Sequence, residues 1–313
     1  MKQFVKYILR FLLPVLAVIA VLMVVPVNKR LRYKNINNDC YNHGIWIYDR
    51  IFENPAPVDI AFIGSSHTLN AINENRMQDS LNELHLNVTA FGYCRLGVNL
   101  YYVLVKDLLK NKSPKAIVLE VRETEDRFSH PVFPYLADER DAFAPYLLYN
   151  RDVIADLYDA VVFKMQLWQE ICFGSNVNSE VNLSMHTYEG FPDTANAQML
   201  EAAQKKRMAK DYSMSETEKN FSMKFPRHYL QAISALAAEK NIPLYFIYLP
   251  EFGSPLKEPT EMETYNSLGK VWLPPSEIFA DKNNWFDDGH LNRAGAGKLS
   301  DWISGKIKEG VVK

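Results

Sequence analysis

The chain has 313 residues, 48% of them hydrophobic and 23% charged, which excludes a disordered polypeptide and leaves room for one large domain with an insertion. Its formal charge of −2 is unevenly divided, because seven basic and no acidic side chains fall in residues 1–34, leaving 28 basic against 37 acidic in the remainder. A body that acidic excludes the electrostatic footprint of a nucleic-acid-binding protein.

Phe4 to Val27 is almost wholly apolar, with no charge from Phe11 onward, and predicts a tilted transmembrane helix with Lys6 and Arg10 snorkelling. No small-x-small cleavage site closes it, so residues 1–34 read as an uncleaved N-terminal membrane anchor. Lys2, Lys6 and Arg10 before the run face Lys29, Arg30, Arg32 and Lys34 after it, and the positive-inside rule nearly cancels. Residues 35–57 read as a linker, Asn-rich from Asn35 to Asn42 and broken at Pro55-Ala-Pro57.

Val58 to Ile63 is an apolar run stopped by Gly64-Ser65-Ser66, the pattern of a buried parallel strand ending in a turn. A helix over Asn73 to Leu84, a strand over Asn87 to Gly92, a helix over Leu100 to Lys110 and a strand over Lys115 to Val121 follow. That alternation predicts a parallel sheet with both faces covered. It fails from residue 124 to 222, a stretch long enough for an inserted, mostly helical cap, with a helical pattern over Asp152 to Phe173 and turn-rich pieces around Asn176 to Asn196. The cap aromatics Phe128, Phe133, Tyr135, Phe143, Tyr146 and Tyr149 read as packing it onto the sheet, with an acceptor groove as the alternative. The α/β rhythm resumes with a helix over His228 to Lys240, a strand over Ile242 to Pro250, a short strand over Lys270 to Leu273 and a closing helix over Ala294 to Lys308. Residues 58–123 and 223–313 therefore form one α/β domain around the cap at 124–222.

The carboxyl end of the first strand is where open α/β sheets hold their chemistry, and Ser66, at the mouth of a helix, is a candidate nucleophile. Gly-Ser-Ser is also ordinary turn and N-cap material. What turns it toward chemistry is Trp285-Phe-Asp-Asp-Gly-His-Leu-Asn-Arg-Ala-Gly295, where Asp287 lies three residues before His290 and can orient its imidazole toward a serine. His67 directly follows the serine and is badly directed as its base, so it reads as a substrate-contacting residue of the first turn. The remaining histidines lack ligand spacing, and neither metal nor cofactor is implied. Cys40, Cys94 and Cys172 show no metal spacing and read as three isolated buried thiols, one disulfide with a leftover thiol being the alternative.

On Gly64-Ser65-Ser66 and Asp287-Asp288-Gly289-His290 the chain resembles the SGNH/GDSL hydrolase superfamily. The closer likeness is to its membrane-anchored branch, which includes the D-alanylation protein of lipoteichoic acid and alginate O-acetyltransferases. There Gly-Ser-Ser replaces Gly-Asp-Ser, and a run like His290-Leu-Asn-Arg-Ala-Gly295 is frequent. The resemblance covers the sheet-forming two-thirds of the chain and not the cap. It implies a three-layer, flavodoxin-like (SGNH-type) parallel sheet with a helical insertion behind one transmembrane helix, and an extracytoplasmic body. It also implies an oxyanion donor from Gly97 or Gly92. The asparagine block after the third strand is replaced here by Glu120-Val-Arg-Glu123, where Arg122 is either a donor to the oxyanion or an anionic substrate, or a member of a surface ion pair. Two functions follow as expectations. One is a serine esterase or O-acyltransferase acting on an acylated cell-envelope glycan, held to membrane lipid by its anchor and accompanied by a multi-spanning membrane acyltransferase. The other is a degenerate envelope subunit that binds a glycan or such an acyltransferase.

Overall fold

The computed structural model describes residues 2–36, 43–142, 148–174 and 193–310. The first helix, α1 (Lys2–Val24), contains an apolar segment of 22 residues, Gln3–Val24, long enough to cross a membrane, and only 6% of its most apolar stretch is buried. It stops short of the predicted Val27 because Pro26 cannot continue a helix and pushes the preceding residue toward an extended conformation.

The chain then enters the body at once. Helices α2 (Lys29–Lys34) and α3 (His43–Tyr48), with a π-helical turn at Asp49–Glu53, bury Tyr33, Trp46, Ile47 and Ile51. Much of what reads as a linker is thus part of the core, while 37–42, Cys40 included, lies outside the described residues. Arg32 is buried as well, donating to the carbonyls of Val27 and Ala137 and pairing with Glu139.

Five parallel strands, β1 (Ile60–Gly64), β2 (Val88–Gly92), β3 (Ala116–Val121), β4 (Leu244–Tyr248) and β5 (Lys270–Trp272), form one sheet in the order β2-β1-β3-β4-β5. This is the flavodoxin-like order of doubly wound sheets. Every residue of β1, β2 and β3 is buried, as expected of strands covered on both faces. Between them run α4 (Ser66–Ala71), α5 (Glu74–Ser80) and α6 (Val98–Asn111). The cap region holds α7 (Phe133–Leu136), α8 (Glu139–Ala142), α9 (Val153–Phe173), α10 (Ala197–Met208) and α11 (Glu216–Ser222). After it come α12 (Lys224–Glu239), α13 (Met262–Leu268), α14 (Ser276–Ala280) and α15 (Arg293–Lys308).

Two hydrophobic cores result, one per sheet face. Alternate β1 residues divide between them, Ala61 and Ile63 with α6 and α12, Ile60 and Phe62 with α5 and α15. Because β1 is flanked by β2 on one side and β3 on the other, the strand order reverses there, and a crevice opens beyond the carboxyl ends of β1 and β3.

The cysteine reading is corrected. Cys94, in the short loop after β2, is disulfide-bonded, and Cys172, on the last turn of α9, is an exposed free thiol. Neither is buried: Cys94 is half-exposed in its loop and Cys172 lies on the surface. Of the cap aromatics, Phe133 is fully buried against Tyr229 and Tyr135 packs on Phe163, while Phe143 and Tyr146 lie outside the described residues, as does nearly all of 176–196.

Candidate active site

At the end of β1 the backbone turns sharply into α4. A Cβ on Gly64 would collide with Thr68 Oγ1 and Glu120 Oε2, so only glycine fits the turn. Ser65 caps the helix by accepting from the His67 N–H at 3.1 Å, which leaves Ser66 as its first residue. Asn70 reaches back one turn and donates to the Ser66 carbonyl at 2.7 Å.

A residue that sequence reasoning missed fixes this turn. Glu120, on β3, accepts from Ser65 N–H (2.8 Å), Ser65 Oγ (2.7 Å), Thr68 N–H (3.0 Å) and Thr68 Oγ1 (2.7 Å). A carboxylate buried in a strand needs several donors, and this one uses them to join the Ser65–Thr68 turn to the neighbouring strand. The signal in the sequence was a lone charge within the apolar run Ala116 to Val121.

The late loop supplies the facing groups. Trp285 is buried and donates to the Phe279 carbonyl at 3.0 Å, and Asn292 caps α15 by accepting from Ala294 and Gly295 N–H. Between these two posts Asp287 accepts from the backbone N–H of Gly289 (2.8 Å) and His290 (2.7 Å), folding the loop onto its own side chain. Both carboxylate oxygens lie 2.9 Å from His290 Nδ1, and His290 Nε2 lies 2.8 Å from Ser66 Oγ. Burial pushes the Asp287 carboxyl up, but the hydrogen bonds from His290 and Gly289 outweigh it and hold it below the usual carboxylate range. Asp288 turns away to Arg207 at 2.9 Å. Residues 224 positions apart thus meet in a serine–histidine–aspartate line.

His67 and Arg122 line the same cavity, which has a volume of about 470 Å³ and is bounded also by Arg95, Leu96, Ser129, Arg151 and Asp152. His67 is packed with its ring 5.0 Å from that of His290. Burial, then the neighbouring Arg122, His290 and Arg207 side chains, holds its pKa well below the ordinary value, so the ring is neutral. Arg122 is not the surface ion pair considered from sequence. Its side chain is 10% exposed, 2.5 Å from Glu251, 3.6 Å from Glu123 and 4.0 Å from Glu120. Glu251 in turn bonds Arg207, which also donates to Asp288 and to the Phe252 carbonyl, linking α10 of the cap to the His290 loop.

Gly92 and Gly97 do not line the cavity. Gly92 lies where α4 crosses β2, so close that a Cβ would strike the Leu69 N–H and the Ser65 carbonyl. Gly97 opens α6 with φ of 155°, against His130. The loop between them reaches the cavity through Arg95 and Leu96. Among the described residues no three His, Cys, Asp or Glu side chains converge as metal ligands. No known family model matches the chain, and no curated protein matches it.

Proposed function

We propose that the protein is a membrane-anchored, extracytoplasmic serine esterase or O-acyltransferase of the SGNH type, acting on acyl groups of a cell-envelope polysaccharide. The observation that carries this reading is the Ser66–His290–Asp287 line of hydrogen bonds at the topological switch point. In the reaction, Ser66 Oγ attacks the acyl carbonyl as its proton passes to His290 Nε2, and Asp287 holds the ring from the Nδ1 side. Collapse of the tetrahedral adduct expels the alcohol, which takes that proton and leaves the acyl group on Ser66. Water, or a sugar hydroxyl entering the cavity, then gives its proton to His290 and takes the acyl group, and His290 returns the proton to Ser66 Oγ as the acyl–Oγ bond breaks. The Ser66 N–H, free of intrahelical bonds in the first turn of α4, is the donor this turn offers to the oxyanion, and the Arg95–Leu96 loop and Arg122 line the same cavity.

Two further observations support the placement outside the cytoplasm. A disulfide at Cys94 suits an oxidising compartment. The basic residues that blurred the orientation are engaged by the body, Lys29 with Asp107 and Asp138, Arg30 with Glu53 and Arg32 with Glu139. Their charge has a structural use, and Lys2, Lys6 and Arg10 remain as the cytoplasmic flank.

The test is labelling by a serine-directed fluorophosphonate and acetyl-ester turnover. Wild type takes the label and Ser66→Ala loses both. Asp287→Asn keeps the fold but misorients the imidazole, a change worth about 10⁴ in turnover in serine proteases. A folded wild type that takes no label, with Ser66→Ala still supporting polymer acylation in cells, would leave the noncatalytic subunit as the reading. The feature favouring that second reading is the confinement of Arg122 among three carboxylates.

A further inference from the structure

Helix α9 reverses the usual polarity of a surface helix, which presents charge to water. Ile154 is 82% exposed, Tyr158 68%, Met165 47% and Phe173 85%, and no exposed residue of the helix is charged. Its four charged residues, Asp156, Asp159, Lys164 and Glu170, are buried or half-buried. On α15 the exposed positions are mostly charged, among them Arg293, Lys298, Asp301 and Lys308. Residues 154, 158, 165 and 172 fall on one side of the helix, which makes that side an apolar stripe interrupted only by exposed Gln169.

The opposite side of α9 packs on the carboxyl end of α1. Trp168 Nε1 donates to the Leu22 carbonyl at 3.2 Å, Lys164 Nζ to the Met23 carbonyl at 3.4 Å, and Phe163 and Leu167 cluster with Val27. The exposed apolar surface of the membrane-length helix therefore continues onto α9 where that helix ends. We infer that the outer face of α9 is seated on the lipid bilayer, at the level where α1 leaves it. This rests on the reading of α1 as a membrane anchor, since a bilayer that solvates α1 up to Val24 reaches the neighbouring stripe as well. An apolar stripe carrying aromatics suits the headgroup boundary, where such helices bury their apolar side about 5–10 Å deep.

The seating bears on substrate. Arg151 and Asp152, directly before α9, line the cavity with Ser66 and His290, and Asp152 to Leu167 spans about 22 Å of helix at roughly 1.5 Å per residue. The cavity thus opens close to the membrane surface, toward acyl donors or acceptors carried by lipid.

The free thiol of Cys172 lies on the stripe and serves as the probe. Full-length protein is reconstituted into phosphatidylglycerol–phosphatidylethanolamine vesicles, Cys172 is labelled with an environment-sensitive fluorophore, and quenchers are attached to the lipid acyl chains. The label should lose most of its emission. The same label on exposed Glu83→Cys in a Cys172→Ser background should not. Tyr158→Asp with Met165→Asp should relieve the quenching while the protein still floats with vesicles after an alkaline wash. An unquenched Cys172 in floated vesicles overturns the seating and leaves the anchor standing. Release by the wash overturns both. A thiol shielded in native membranes yet unquenched in pure lipid would mean a protein partner and also overturns it. Fluorophosphonate labelling of Ser66 on the same vesicles reports separately on the enzymatic reading.

Discussion

Glu120 is the side chain on which the nucleophile turn depends most. It accepts four hydrogen bonds from two residues flanking Ser66, and a glutamine there would turn an amide toward donors that need an acceptor. Each buried donor left unpaired costs about 1–3 kcal/mol. Glu120→Gln is therefore expected to lower the urea midpoint and to slow fluorophosphonate labelling although Ser66 and His290 are intact; unchanged labelling would show that the turn holds without it. A second residue sets a pH dependence. Burial holds His130 at about 3, against an ordinary value near 6.5, its Nε2–H donating to the Cys94 carbonyl and its Nδ1 accepting from Val132 N–H. Below pH 6.5 the unfolded chain takes a proton the folded chain refuses, so this group removes stability as pH falls, by up to about 1.4 kcal/mol per unit. Glu74 and Glu125, raised by burial to about 7, act in the opposite sense between pH 7 and 4.5. The measurable quantity is the melting temperature of wild type minus that of His130→Gln, which should decrease as pH falls from 7 to 5.

Among the elements, Arg207 joins α10 to the His290 loop by pairing with both Glu251 and Asp288. Charged hydrogen bonds of this kind contribute about 1.5–3 kcal/mol. Arg207→Ala should destabilise by that order and reduce ester turnover, because Glu251 then loses one of the two arginines holding its carboxyl below the usual range. Stability measured by urea and turnover at equal folded concentration check it; full turnover in Arg207→Ala would show that this arginine does not position the loop. Asp287 and its two backbone donors form a shorter-range device, complete within four residues, so the loop should keep its shape without Arg207.

For the whole molecule, the apolar N-terminal helix ends before Pro26, and residues 29–34, read from sequence as part of an anchor, pack with the body. Lys29 pairs with buried Asp107, and Arg32 is itself buried beside Glu139. Removing one partner of a buried pair costs about 3–5 kcal/mol. A chain starting at residue 26 should therefore fold as a body without the apolar helix α1, whereas one starting at residue 43 should melt far lower or fail to fold. Equal melting temperatures for the two truncations would contradict this.

Residue order alone determined the apolar span, the strand and helix alternation and the pair of motifs at Ser66 and Asp287–His290, because each is a local pattern of hydrophobicity or turn chemistry. Sequence spacing also selected Asp287 over Asp288, since a three-residue turn brings only the former under the imidazole. Four things depended on the tertiary structure. Glu120 acquires its role only when β3 lies beside β1, and Arg122 its burial only when Glu251 arrives from the loop after β4. Residues 43–53, without an amphipathic pattern long enough to read, are core because α6 lies over them. The apolar side of α9 has meaning only beside α1. In each case the partners lie tens to more than a hundred residues apart, and no local pattern records which distant surface a buried charge or an apolar stripe will meet.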